Sequence, residues 1–138
     1  MSCLFSFLDY TVVMLNFDNI LLSSDDHKRL VEFYGKVFDK KPDMEDDNYA
    51  GYMVGNFFLG IGGHDKVHGK NKNPERVLFN FSTKEVKEEF ARISKIDGAE
   101  VIKEPYQMEG MGVTVWIATL SDPDGNYFQL MTPWEENK

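Results

Sequence analysis

Cysteine is almost absent from this chain: Cys3 is the only one in 138 residues. One thiol excludes an internal disulfide framework and a cysteine-based zinc finger, and it fits a reducing, cytoplasmic setting. Histidine is nearly as scarce, with His27, His64 and His68 alone, so a histidine-based nucleophilic triad is not expected. Long apolar runs are missing too. The most apolar stretch, Met1 to Leu15, is interrupted by Asp9 and has no early Lys or Arg. It is too short to span a bilayer and lacks the basic start of a signal peptide. Finally, there is no excess of positive charge. Fifteen basic against 23 acidic residues give a net charge of -8, which repels phosphate backbones. The one basic concentration, Lys66 to Lys72, has no interleaved aromatics. Neither nucleic acid nor a membrane is an expected partner.

What is present is an ordinary globular balance, 42% apolar and 28% charged. A chain of this length buries roughly two-thirds of its unfolded surface, enough for a core without staples. The pattern reads as two similar halves. In the first, residues 15–22 suit a strand, and Ser23, Ser24 and Asp25 are N-cap residues. Leu30, Tyr34 and Val37 recur at helical spacing, which predicts a helix over 26–38. Pro42 follows, with room for a short strand. Tyr49–Val54 and Phe57–Ile61 flank the turn signal Gly55-Asn56.

The second half repeats this order. Residues 76–81 alternate as a strand, and Ser82-Thr83-Lys84-Glu85 matches a capping box. A helix over 84–96 would bury Val86, Phe90 and Ile93, with Gly98 as its stop. Strands are expected over 100–106, 113–120 and 127–131. The last two are joined by Asp122-Pro123-Asp124-Gly125-Asn126, a run rich in turn formers. Glu32-Phe33 lies over Glu89-Phe90 at an offset of 57 residues, and Gly55-Asn56-Phe57-Phe58 over Gly125-Asn126-Tyr127-Phe128 at 70. The repeated element order strengthens these short matches. Module one is placed at 15–62, a polar linker at 63–75 and module two at 76–133. Residues 1–14 are an N-terminal extension, read either as an extra strand or tail, or as a segment preceding a start at Met14.

The Asp-Pro-Asp-Gly-Asn hairpin followed by Tyr127-Phe128-Gln129-Leu130 resembles the closing hairpin of the vicinal oxygen chelate superfamily. So does the opening, with Asn19 on a strand, Ser24-Asp25, and a helix containing Phe33-Tyr34. That superfamily includes glyoxalases, bleomycin-resistance proteins, fosfomycin-resistance enzymes and extradiol dioxygenases. The resemblance covers nearly everything from Leu15 to Pro133. It implies an α+β fold of two βαβββ modules forming a cupped mixed β-sheet, the glyoxalase/bleomycin-resistance/dihydroxybiphenyl dioxygenase fold, in a homodimer. In metal-dependent members, His or Gln from the first strands and Glu from the last strands hold one divalent ion. Carried over, the first-strand positions fall on Asn19 and on Arg76 or, with a two-residue shift, Leu78. The last-strand positions fall on Gln129 and on Leu59 or, with a slipped register, Gly60. None is a histidine or carboxylate, so a divalent metal is not supported and no cofactor is expected.

Other clusters have plainer readings. His64 and His68 are four apart, but Gly62, Gly63 and Gly69 oppose a helix there and favour a loop. Asp43, Glu45, Asp46 and Asp47 lack the spaced ligand loop of a calcium site and read as a solvated hairpin. A ligand cup is left to Asn19, Arg76 and Gln129 as polar contacts, with Tyr106, Trp116, Tyr127 and Met131 as apolar walls. Strand alternation sets Tyr127, Gln129 and Met131 on one face and Phe128 and Leu130 on the other. No catalytic residue is assigned. Two functions follow. One is metal-independent binding of a small organic ligand; the other is a glyoxalase-related lyase or isomerase acting on a small carbonyl compound.

Overall fold

The computed structural model describes residues 14–108 and 114–133. Module one contains β1 (Asn19–Ser24), α1 (His27–Phe38), β2 (Met44–Glu45), β3 (Tyr49–Val54) and β4 (Phe57–Gly63). A 3-10 turn, Pro74–Arg76, precedes module two. That module contains β5 (Leu78–Ser82), α2 (Val86–Ile93), β6 (Glu100–Met108), β7 (Val115–Ser121) and β8 (Tyr127–Met131). Each module is βαβββ. The strand orders are β1-β4-β3-β2 and β5-β8-β7-β6, and in each sheet the first and last strands run parallel.

Several boundaries differ from the sequence reading, for local reasons. The first strand begins at Asn19 rather than Leu15. Asn19 already pairs with Phe58, next to the start of β4, and before it the Asp18 carbonyl accepts from the Phe58 amide, where the pairing ends. Leu15 and Phe17 are each 83% exposed, and the Phe17 ring instead meets Phe57 at 5.1 Å. Ser82 is not a helix cap. It stays extended in β5 opposite Met131, and the Thr83 hydroxyl accepts from the Glu85 backbone N–H instead. Glu85 is the cap position of α2, without a side-chain cap bond. The helix also stops at Ile93, because the Lys95 and Ile96 amides reach back only three residues and tighten the chain out of the α pattern. The expected strand or tail over residues 1–13 lies outside the described residues.

The two helices lie between the sheets. Leu22, Tyr52, Leu59 and Ile61 of sheet one and Ala118, Leu120, Phe128 and Leu130 of sheet two join Leu30, Phe33, Tyr34, Val86 and Ile93 in one buried core. Phe128 is its hinge, meeting the rings of Phe33, Tyr34 and Phe81 at 6.2, 6.0 and 5.8 Å. Burying a side chain of this size stabilises the fold by about 1.5–3 kcal/mol. Because both sheets turn their helix-side residues into this one core, their opposite faces look outward.

Polar contacts lock the modules together. The Tyr34 hydroxyl donates to Asp122 Oδ2 at 2.7 Å, and Asp122 accepts from the backbone N–H groups of Asp124 and Asn126 and from the Asn126 amide. The Asp-Pro-Asp-Gly-Asn turn is thus a docking knot for α1, with Gly125 supplying the positive φ of 81°. Burial raises the Asp122 carboxyl above its usual range despite those donors. Tyr34 is pushed well up, by burial first and by the charge of Asp122 second. At the other end, Arg92 donates to the Lys36 and Val37 carbonyls, which the end of α1 leaves without helical partners. Glu89 holds the guanidinium in place at 2.6 Å. Tyr52, whose hydroxyl donates to the Val31 carbonyl, is pushed up to about 12 by burial and by Glu45 and Asp43.

Candidate functional site

Pairing and alternation define the outward faces. On sheet one, Asn19 lies beside Phe58 and Met53, Leu21 beside Gly60 and Gly51, and Ser23 beside Gly62 and Tyr49. On sheet two, Leu78 lies beside Tyr127 and Ser121, Asn80 beside Gln129 and Thr119, and Ser82 beside Met131 and Ile117. Tyr106 of β6 pairs with Ile117 and borders this second face. Tyr127, Gln129 and Met131 share the face, with Phe128 and Leu130 behind them in the core, as alternation requires.

The two modules can now be superposed residue by residue. Asp26 and Glu85 are the helix caps, and Ser24 and Thr83 each accept from the cap's backbone N–H. This offset of 59 matches Asn19 with Leu78. Asn19 pairs with Phe58 and Leu78 with Tyr127, so Gly60 matches Gln129. The ambiguous registers therefore resolve to Leu78 and Gly60, and both Arg76 and Leu59 drop out. Arg76 ends the 3-10 turn and is exposed, outside β5, while Leu59 is buried in the core.

The seven expected ligand contacts are only partly brought together. Tyr106, Tyr127, Gln129 and Met131 belong to the outward face of sheet two. Asn19 is on the outward face of sheet one, exposed, with its amide donating to Asp18. Trp116 departs from the expectation: it packs against the shared core, with the Lys87 ammonium of α2 3.9 Å from its ring centre. Gln129 Nε2 donates to Thr119 Oγ1 at 3.0 Å, which fixes the amide on the sheet. A cleft of about 270 Å³ between α1 and the β2–β3 hairpin includes His27 and Tyr49. One of about 620 Å³ at the module junction includes Phe38, Phe81 and Arg92. None of the seven residues lines either cleft.

The other candidates take their plainer forms. His64 and His68 lie in a loop rather than on a helix, and His64 Nδ1 accepts from the Lys66 amide. Asp43 pairs with Lys40 at 2.7 Å, and Asp46 accepts from the Asn48 amide. The Lys40 ammonium and the Met53 amide lower the Asp43 carboxyl below its usual range. Among the described residues, no three His, Cys, Asp or Glu side chains gather as a metal group. No helix among them is long and apolar enough to cross a membrane.

The sequence profile of the glyoxalase-like domain matches residues 19–131, from the first residue of β1 to the last of β8. The chain belongs to that family. It is thereby a member of the vicinal oxygen chelate superfamily, in agreement with the paired βαβββ fold. No curated protein matches the chain. Solved structures similar to it include a glyoxalase/bleomycin resistance protein from Albidiferax ferrireducens. That likeness has 17% identity and a TM-score of 0.68 over 85% of this chain and 98% of that one. A glyoxalase/bleomycin resistance protein/dioxygenase family enzyme from Burkholderia phytofirmans gives 21% and 0.67 over 86% and 98%. A glyoxalase-related enzyme from Fulvimarina pelagi gives 15% and 0.67 over 87% and 89%. At these identities the likeness concerns the fold.

With this register, the positions that the superfamily resemblance assigns to metal ligands correspond to Asn19, Leu78, Gly60 and Gln129. Only two carry donor atoms, and both are neutral amides. This set does not fit a tightly held divalent ion, which needs imidazole or carboxylate donors in number. At Gly60 the space for a side chain is taken by the tip of Tyr49, which would have to move to admit one. A Cβ placed there would lie 2.3 Å from the Tyr49 hydroxyl oxygen. Sequence reasoning passed over Tyr49, Phe58, Asn80 and Thr119. The signal for the first two was the run of glycines in β3 and β4, since glycine inside a strand marks a close approach.

Proposed function

We propose that this protein binds a small organic ligand on its outward sheet faces, without a tightly bound transition metal. The observation that carries this reading is the donor set at the four ligand positions, two amides and two residues with nothing to coordinate. Asn19, Tyr106, Tyr127, Gln129 and Met131 supply the contacts. Polar groups on such a surface orient a ligand, while the apolar ones contribute affinity.

The cup itself is completed by a second copy of the chain. Within one chain the two faces look away from each other, so Asn19 and Gln129 can share a ligand only across a homodimer. Apolar side chains left in water support that arrangement. Leu21, Met44 and Met53 border the first face, and Leu78 and Tyr106 the second.

A second reading, a lyase or isomerase acting on a small carbonyl compound, is favoured by the family itself. It requires a proton acceptor, and the candidates are few: a tyrosine, Glu104, which is exposed on β6, or Glu109, which lies outside the described residues. Native mass spectrometry on gently desalted protein separates these readings. The binding reading expects a dimer carrying an organic adduct that is released on denaturation. A dimer that instead converts a panel of 2-oxoaldehyde thiol adducts would favour the enzyme, and a stoichiometric zinc or nickel adduct would overturn the donor argument.

A further inference from the structure

The outward face of sheet one is paved with glycine and covered by two aromatic rings. Gly51, Gly60 and Gly62 are buried strand residues on this face. A Cβ on Gly51 would lie 2.0 Å from the tip of the Phe58 ring. Tyr49 runs across two glycines: Cδ1 lies 3.4 Å from the Cβ position of Gly62, and the hydroxyl 2.3 Å from that of Gly60. Both rings therefore lie down along the sheet rather than standing up from it. Three glycines in adjacent strands cost chain entropy and forfeit packing. A fold needing only a solvated sheet face would not concentrate them there.

Two further features set what this floor would hold. The Tyr49 hydroxyl has no hydrogen-bond partner among the described residues. It occupies the position matched to Gln129 in the other module. The floor's Tyr49 end adjoins the β2–β3 turn, where Glu45, Asp46 and Asp47 outnumber Lys28, the one lysine that lines the cleft beside Tyr49 with His27. Neither Asp46 nor Asp47 is in an ion pair among the described residues. The chain as a whole carries -8. Ring faces and surrounding negative charge together favour a flat cation and disfavour an anion.

We infer that Tyr49 and Phe58, laid over Gly51, Gly60 and Gly62, form a binding floor for a planar aromatic cation, with the Tyr49 hydroxyl hydrogen-bonding the ligand's polar edge. This rests on the small-molecule reading above and specifies its ligand class.

The test uses the full chain, isotopically labelled, and three probes: proflavine as a planar cation, 2-naphthoate as a planar anion and cyclohexylammonium as a non-planar cation. Proflavine should bind saturably, with the largest shifts at the Tyr49 and Phe58 ring protons and the Gly51 and Gly60 amides. The other two probes should bind at least about tenfold more weakly. Phe58→Leu should weaken proflavine roughly fivefold or more, and Tyr49→Phe, which keeps the ring, by a smaller factor of about two to five. Cyclohexylammonium binding as tightly as proflavine would overturn the inference, because the face would then be reading charge alone. Shifts confined to Tyr127, Gln129 and Met131 would overturn it and leave the small-molecule reading intact. Absence of saturable binding by any probe, in protein that also lacks a co-purified organic ligand, would overturn both.

Discussion

The two outward faces come from the same βαβββ plan yet are built from different chemistry. In module one the centre of the face is glycine under Phe58 and Tyr49, with Asn19 and Ser23 at its edge on β1. In module two the matched positions carry Gln129 bonded to Thr119, with Asn80 and Ser121 beside them. The contrast extends to the positions that hold metal elsewhere in the superfamily. Gly60 yields its volume to Tyr49, whereas Gln129 keeps a donor and an acceptor. The helix-side positions of both modules are apolar and share one core, where a change costs folding free energy, while the outward positions differ in chemistry. If the two faces bind one ligand together, as proposed above, it would meet two unlike surfaces.

The comparison breaks most sharply at the core. Phe128→Ala should destabilise the protein by about 3–5 kcal/mol, since Phe128 is fully buried among Phe33, Tyr34 and Phe81. Leu78→Ala, on the outward face and 39% exposed, should cost less, about 1–2 kcal/mol, because part of its surface stays in water and its loss leaves no closed cavity. Urea unfolding of both variants checks this. Similar losses would mean that the second face is packed, not open.

Next comes the knot between modules. Tyr34→Phe leaves the ring and removes the donor to Asp122, at an expected cost of about 1–3 kcal/mol. The same method reads it, and an unchanged midpoint would show that Asp122 is satisfied without Tyr34. Gly51→Ala follows, at about 1–3 kcal/mol, because the added carbon displaces the Phe58 ring. Gln129→Leu on the other face should cost about 1 kcal/mol, for its lost bond to Thr119, while weakening ligand binding by about 1–3 kcal/mol.

The smallest effect is one of pH, and the two module contacts should differ in sign. Burial raises the folded-state pKa of Asp122, so the native state takes up a proton before the unfolded chain does. Its carboxyl therefore opposes folding above the raised value, and that cost is relieved as pH falls toward the ordinary carboxylate range. Glu89 is the reverse. Its hydrogen bond from Arg92 lowers its pKa, so its contribution is present above the ordinary value and lost as pH falls through the folded one. Against wild type, Glu89→Gln should lose less on acidification, and Asp122→Asn should lose the relief. Unfolding curves between about pH 3 and 7 test this; identical profiles for the two variants would refute it.

Much of this fold is legible without coordinates. The period of Leu30, Tyr34 and Val37 gives α1, and the alternation of Tyr127, Gln129 and Met131 against Phe128 and Leu130 gives the faces of β8. Where the reading slipped, it followed local signals that tertiary pairing overrode. Ser82 looks like a helix cap but is held extended by Met131. The Glu32-Phe33 and Glu89-Phe90 match suggests an offset of 57, whereas the caps fix the strands at 59. That difference decides between Arg76 and Leu78. The site is less legible, because Trp116 and Phe58 are both strand aromatics and only their register says which one reaches the outward face. Nor does one sequence tell that Asn19 and Gln129, read as neighbours in a cup, occupy sheets facing opposite ways.

Elemental analysis of protein purified without chelator or added metal tests the central claim most directly, with parallel calorimetric titration of zinc and nickel into wild type and the Asn19→His, Gln129→Glu double variant. The account predicts metal far below one ion per chain in the wild type and no saturable binding, with measurable binding in the double variant once two proper ligands meet across the proposed dimer. A wild-type protein carrying one zinc, nickel or iron per chain, released when Gln129→Leu is introduced, would contradict it.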